Sequence, residues 1–358
     1  MFFTDKKKFD IQFLSSPSSD EIWTRSTAIA CAKEGLKIEV LACGKLNKTI
    51  VEEYRRNGIN VIHGRYIGLR RASKTKCKLC ITSSTGLSRR IFMDNYKKVI
   101  HMPHSLASLH MIYPSGTFNP FDILFAAGPH HYKEYNSIIS NQKLKNRLVF
   151  PIGYGKMDIF KQSKVNYIKE FDKSIKKILI APSWGKDNFL DYIGYSLIKK
   201  LSNSNFHVIV RPHPIIIKEN KDAFKKIKFL EKNAANIEIE YPEFGDKAIH
   251  YADILIGDYS GISLEYASLR KKPVLSINVP KKEINSKWKD LNINPIEIQI
   301  RQSIGQVVEP DLDKIFSSIE FLIEENKIIN ESILEKFIYS PDKKTSSNAL
   351  KVILSLIT

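Results

Sequence analysis

His104 closes the run His101-Met102-Pro103-His104, just past an apolar stretch, Val99–Met102, that reads as a strand. A neutral imidazole accepts a proton near pH 7, so a histidine in the loop beyond a parallel strand is a candidate general base. Arg211-Pro212-His213-Pro214 follows the strand-like His207–Val210 in the same way. Its two prolines stiffen the backbone and hold a guanidinium and an imidazole ready, which suits a diphosphate. Ala181-Pro182-Ser183-Trp184-Gly185-Lys186-Asp187 ends the preceding strand and offers a hydroxyl, an indole and an ammonium together. Trp184 either stacks on a base or packs between domains.

Residues 251–275 contain a buried-strand pattern at Ile254–Ile256, a polar turn, and a helical pattern ending near Arg270. Gly257 and Gly261 are expected to let the backbone turn sharply, and Ser260 to cap the helix. The unpaired amides at its start, with the helix dipole, would then face an anion above the strand end. Glu265 is too far from Ser260 to close a capping box. Gly153-Tyr154-Gly155-Lys156 lacks the Lys-Ser or Lys-Thr ending of a phosphate loop and reads as a hinge. His110, His130 and His131 have no visible partners, and Asp253 and Asp258 belong to no constellation with metal spacing.

The elements that must position these groups alternate. Strands at Phe9–Leu14, Leu36–Val40, Ile59–Val61, Leu79–Ser83, Val99–Met102, Phe121–Phe125 and Leu148–Phe150 are interleaved with helical patterns over Asp20–Glu34, Lys48–Arg56 and Leu87–Asn95. A polar, lysine-rich stretch from Tyr154 to Lys177 reads as a linker. A second series then runs through strands at Ile178–Ile180, His207–Val210, Ile237–Tyr241, Ile254–Ile256 and Val274–Ile277. Its helices are expected at Phe189–Leu201, Asp222–Lys232, Ile262–Arg270, Asp311–Glu324 and Ser332–Tyr339. Such alternation predicts two doubly wound, Rossmann-like α/β domains, over 1–155 and 156–358, with their loop-bearing strand ends across a shared cleft. A chain of 358 residues suits two such cores.

The net charge of +18 favours polyanions: nucleic acid, an anionic membrane surface or a phosphorylated substrate. The basic residues are scattered and no nucleic-acid recognition motif is present, so a nucleic-acid-binding protein is the weakest of the three readings. The thiols of Cys31, Cys43, Cys77 and Cys80 read as buried and reduced, because Cys77-Lys78-Leu79-Cys80 has no second pair to complete a zinc site. No apolar stretch approaches the ~20 residues that cross a bilayer. A cytoplasmic protein, in part peripheral at the inner face of the membrane, is expected.

Taken in order, His104, Gly153-Tyr154 with Asp158, Pro182-Ser183-Trp184, Arg211-Pro212-His213-Pro214, Asp258-Tyr259-Ser260-Gly261 with Glu265, and Lys272-Pro273 resemble the CDP-glycerol glycerophosphotransferase family. Its members build or prime teichoic acids and related capsule polymers. Three motifs depart from its usual pattern: His-Gly-Thr-Pro is here His104-Ser105-Leu106, Pro-Thr-Trp-Arg is Pro182-Ser183-Trp184-Gly185, and Asp-Tyr-Ser-Ser is Asp258-Tyr259-Ser260-Gly261. The resemblance implies a GT-B-like pair of domains that needs no metal and no cofactor. It implies that His104 and His213 are catalytic, and that a CDP-linked donor is held by Ser183, Trp184, Arg211, His213, Asp258, Ser260, Gly261 and Glu265. The implied acceptor is a lipid-linked or glycan hydroxyl. A glycosyltransferase using a nucleotide-sugar donor would share the architecture.

Overall fold

The structure, a computed structural model, describes residues 8–65, 67–86, 95–168, 174–185, 187–219, 221–241, 246–339 and 344–357. The expected helix over Leu87–Asn95 lies almost wholly outside them. The chain forms two compact units: Met1–His104, Pro114–Ile159 and Ile338–Thr358 make the first, and Ser105–Tyr113 with Phe160–Phe337 the second.

The first unit is built on β1 (Ile11–Ser15), β2 (Ile38–Ala42), β3 (Asn60–His63), β4 (Cys77–Thr82), β5 (Tyr96–His101), β6 (Ile123–Ala126) and β7 (Leu148–Pro151). They lie in the order β3-β2-β1-β4-β5-β6-β7, every pair parallel. Parallel sheets are covered on both faces, so β1 and β2 are buried at every position. That burial extends to the polar pair Gln12 and Glu39, which face each other in register and share a hydrogen bond of 2.5 Å. Arg71 supplies the countercharge to Glu39.

The stretch expected to be a linker is instead a helix at Gly155–Ile168. Its polarity suggested a loop, but the segment from Lys156 to Ile168 holds neither Gly nor Pro to break a helix. Asp158 on this helix is buried and accepts the Thr345 amide at 2.8 Å and the Ser346 amide at 2.9 Å. Those amides open the helix Thr345–Ile357, whose Ala349 and Ile353 pack into the same core as Phe13, Ile81 and Phe125. One carboxylate thus satisfies two orphan donors and the dipole of the C-terminal helix. The helix expected over Asp20–Glu34 is divided, with a tight 3₁₀ turn at Ser18–Trp23 and an α-helix only from Arg25 to Lys33.

The second unit is built on β8 (Lys177–Ile180), β9 (His207–Val210), β10 (Ile237–Ile239), β11 (Ile254–Gly257), β12 (Val274–Ile277) and β13 (Gly305–Val308). Their order, β10-β9-β8-β11-β12-β13, repeats the first six positions of the other sheet and is again wholly parallel. In both sheets the strand order reverses beside the first strand, at β1/β4 and at β8/β11, where open α/β sheets present ligand sites beyond their carboxyl ends. The helix at Gly261–Arg270 follows β11, and the core joins Ile178, Ile180, Val210, Ile256 and Leu275 with Phe189 and Leu197. The helix expected over Ser332–Tyr339 is only the single turn Glu331–Leu334.

Asp158→Asn is expected to lower stability by about 2 kcal/mol, the scale of losing a charged cap with two hydrogen bonds. The thermal midpoint should fall by a few degrees. An unchanged melting curve would refute this role for Asp158.

Candidate active site

Four loops of the second unit leave the carboxyl ends of neighbouring strands: Ala181–Gly185 after β8, Arg211–His213 after β9, Asp258–Ser260 after β11 and Asn278–Lys282 after β12. Asp258 is buried, and its two oxygens accept the Ser183 amide at 2.8 Å and the Phe189 amide at 3.1 Å. Burial raises its pKa, while those two amides and the Ser183 hydroxyl favour the carboxylate. Asp258 and Ser183 therefore fasten the β8 loop to the β11 loop, and their polar groups face each other.

Trp184 and His213 bring their rings to 5.8 Å with planes 33° apart. Burial, then the charges of Lys282 and Arg211, lowers the His213 pKa to about 3. Its Nδ1 accepts the Ile215 amide at 3.2 Å, so the neutral ring carries its hydrogen on Nε2. His213 is thus built to donate one hydrogen bond and not to accept a proton. Arg211 is surrounded by acids: it bonds Asp246, lies 3.7 Å from Glu240, and feels the charge of buried Glu265. Its Nη1 is buried with no hydrogen-bond partner among the described residues. Arg211 can therefore offer a directed N–H, but its charge is already matched. Lys282, in the loop after β12, places its Nζ 3.5 Å from the centre of the Trp184 ring.

Ser260 occupies the cap position of the helix Gly261–Arg270 in extended backbone, but its hydroxyl makes no capping bond. Gly257 and Gly261 do not serve a sharp turn, since neither has a positive φ. They allow close approach. A Cβ on Gly257 would lie 2.9 Å from Ser263 Oγ, and one on Gly261 would lie 2.5 Å from Ser105 Oγ. Ser105 opens the segment Ser105–Tyr113, which is strapped onto the second unit. Ser108 donates from its amide and hydroxyl to Glu297 at 3.0 and 2.7 Å. His110 Nε2 donates to the Ile293 carbonyl at 2.9 Å, and Asn285 Nδ2 donates to the His110 carbonyl at 2.9 Å. A side chain at 261 and the Ser105 hydroxyl would therefore compete for the same space.

In the first unit, His104 Nδ1 lies 2.7 Å from the Ser83 carbonyl, which can only accept, so Nδ1 carries the hydrogen and Nε2 presents a lone pair. Ser83 follows β4. The same serine donates from Oγ to the Asp20 carbonyl at 2.9 Å, and Ser84 Oγ donates to the Asp20 carboxylate at 2.9 Å. Asp20 follows β1; burial raises its pKa, with His104 and Ser84 pulling it down. The Trp23 ring meets His104 edge-on at 5.6 Å, while Trp23 Nε1 donates to the Tyr154 hydroxyl at 2.7 Å and that hydroxyl donates to the His104 carbonyl at 3.2 Å. These contacts orient the imidazole. His101, by contrast, is buried among Phe118, Phe121 and Tyr135 and bonds the Tyr135 hydroxyl at 2.8 Å. Asp20, Trp23 and Lys282 escaped the sequence reading, although each follows a strand end as the recognised residues do.

The cysteines are unpaired: Cys31, Cys77 and Cys80 are buried, and Cys43 is partly exposed. Burial pushes the Cys31 and Cys77 thiols up to about 12, which keeps them protonated. Among the described residues no group of His, Cys, Asp and Glu could hold a metal ion, and no helix is long and apolar enough to cross a membrane.

Two parallel sheets of this strand order define a GT-B-type fold. Solved structures share it across nearly the whole chain. UDP-GlcNAc 2-epimerase from Neisseria meningitidis, bound to UDP-GlcNAc, is 16% identical over 96% of this chain and 99% of its own, with a TM-score of 0.63. MnaA of S. aureus with UDP is 13% identical over 97% and 96%, at 0.60. A glycosyltransferase from Rickettsia africae is 16% identical over 98% and 99%, at 0.53. No curated protein matches the chain. Residues 121–354 match the CDP-Glycerol:Poly(glycerophosphate) glycerophosphotransferase family, and the chain belongs to that family of transferases. His104 lies outside the matched residues.

Gly261→Ser is expected to lower the thermal midpoint by several degrees through its clash with Ser105, and Ser105→Gly added to it should restore most of the loss. Contacting residues of this kind couple by roughly 0.5–3 kcal/mol in a double-mutant cycle. Additive effects of the two substitutions would refute this competition.

Proposed function

We propose that the protein transfers a polyol-phosphate group, of the glycerophosphate type, from a CDP-linked donor to an acceptor hydroxyl during assembly of a cell-surface polymer. The observation that carries this reading is the tautomer of His104: its Nδ1 hydrogen is directed at a backbone carbonyl, which makes Nε2 the proton-accepting nitrogen of the ring. In the proposed step the acceptor O–H gives its proton to Nε2 and its oxygen bonds to the distal phosphorus of the donor. The bond from that phosphorus to the CMP oxygen breaks, and CMP leaves with the electron pair. His104 is then an imidazolium, and its charge acts on the Asp20 carboxylate beside it.

Donor binding falls to the second unit in this reading. His213 Nε2 and Arg211 Nη1 supply directed hydrogen bonds to the diphosphate, and the first amides of the helix Gly261–Arg270 supply the dipole. Preorganised donors of this kind stabilise charge as it shifts from one phosphorus oxygen to another. Trp184 offers a ring face for the base. Asp258 and Ser183 act one step back, by fixing the loop that carries Trp184. Family membership supports CDP-glycerol as donor. The second reading, transfer of a sugar from a nucleotide donor, draws on the UDP and UDP-GlcNAc held by the structural neighbours.

Calorimetric titration with CDP-glycerol and with UDP-GlcNAc separates the two readings, and binding of the sugar nucleotide alone would overturn the first. His104→Gln should leave donor affinity within about twofold while turnover falls 10²–10⁴-fold, the usual weight of a general base. Asp20→Asn should lower turnover by a smaller factor, on the order of tenfold or about 1.4 kcal/mol, again with donor affinity kept. Loss of donor binding in His104→Gln would remove it from the role of base.

The lipid-linked or glycan acceptor and an anionic membrane surface belong to the same proposal, motivated by the net charge of +18. The protein is expected to float with vesicles containing anionic lipid at low salt and to be released as salt rises. Failure to float at low salt would refute the membrane contact.

A further inference from the structure

The donor site poses a charge problem. A diphosphate diester brings two negative charges, and the cation that the sequence pointed to, Arg211, is already matched by Asp246 and Glu240, with Glu265 acting on it as well. His213 is neutral and adds no positive charge. Lys186, in the loop after β8, lies outside the described residues. Lys282 is differently placed. It sits in the loop after β12, its ammonium rests on the face of Trp184 at 3.5 Å, and it makes no ion pair among the described residues. Its charge acts on His213 and on Asp258. It is therefore grouped with residues of the β8, β9 and β11 loops.

We propose that Lys282 is the cation that receives the donor's diphosphate, held against Trp184 until the nucleotide takes the ring face. This rests on the reading of the second unit as a nucleotide-donor site, and it changes which residue supplies the charge. A lysine ammonium on an aromatic face is a weakly bound cation, easily drawn to a stronger anion. Two phosphoryl groups beside it would be that anion, and the ring it leaves would be free to stack on the base.

The placement has a pH signature. Burial lowers the Lys282 pKa to about 8, with the carboxylates of Asp258 and Glu297 opposing the fall. The group is charged below that pH and neutral above it. Affinity that depends on the ammonium is therefore full near pH 7 and is lost as pH rises through 8 toward 9, by about tenfold over that interval if the free protein sets the titration. Of the other groups near it, His213 is neutral and Arg211 charged throughout that range.

Calorimetric titration of the full chain with CDP-glycerol at pH 7 and pH 9 tests this, because neither its diphosphate diester nor its cytosine changes charge across the range; UDP-GlcNAc, whose uracil N3–H begins to ionise toward the upper value, is titrated at pH 7 only. Wild type is expected to weaken about tenfold. Lys282→Arg, which keeps a cation that does not titrate there, should bind as well at both values. Lys282→Met should bind at least tenfold more weakly at pH 7 and show no further fall at pH 9. Equal affinity of wild type and Lys282→Met at pH 7, or an undiminished fall in Lys282→Arg, overturns the role of Lys282 and leaves the donor site standing. If neither conjugate binds wild type at millimolar concentration, the donor reading itself fails and this assignment with it. Retained circular dichroism and melting behaviour show that each variant is folded.

Discussion

A buried carboxylate with both oxygens spent on backbone amides organises the second unit. Asp258 stands one residue past β11, at the point where the strand order reverses, and its bonds reach across to Ser183 and Phe189 after β8. Removing a carboxylate from water is costly unless its oxygens are satisfied, and here the amides of a neighbouring loop do so. The loop that carries Trp184 is consequently fixed with respect to the turn that starts the helix Gly261–Arg270. Trp184 in turn locates Lys282 and His213 through ring contacts.

The first unit repeats this logic with different atoms. Its switch point holds Asp20 after β1 and Ser83-Ser84 after β4, and two serine hydroxyls and one carbonyl tie Asp20 and His104 into a single network. His104 is the last residue of its segment in this unit, and Ser105, one peptide bond on, is bound within the second unit beside Gly261. His104 is thus the covalent neighbour of the segment that lies against the helix Gly261–Arg270. The strap from Ser105 to Tyr113 is held by Glu297, Ile293 and Asn285, so it is a fixed element and not a loose connection.

Most strands were legible because a parallel sheet buried on both faces writes itself as short apolar runs: Ile254–Gly257 and Val274–Ile277 fall where Ile254–Ile256 and Val274–Ile277 were expected. Gly305–Val308 was not anticipated, since a half-buried strand beginning with Gly-Gln presents no such run. The helix Gly155–Ile168 was hidden by its lysines, and Thr345–Ile357 owes its start to Asp158, a residue almost two hundred positions away, at a separation of 187. The order of chemical motifs along the chain pointed to the family, and the positions of those motifs at strand ends follow from the sheet.

What the sequence determined by itself was the alternation of elements, and with it the doubly wound fold and the placing of His104, Arg211, His213 and Asp258 beyond strand ends, because these depend on local periodicity. What only the tertiary structure decided was the role each group is free to play. Arg211 loses its surplus charge to Asp246 and Glu240, thirty-five and twenty-nine residues further on, and His213 loses its basicity to burial and to Lys282. The room beside Gly261 is taken by the hydroxyl of Ser105, far away in the chain. Charge, protonation and steric room are properties of the neighbours a residue acquires on folding, and no spacing within one segment records them.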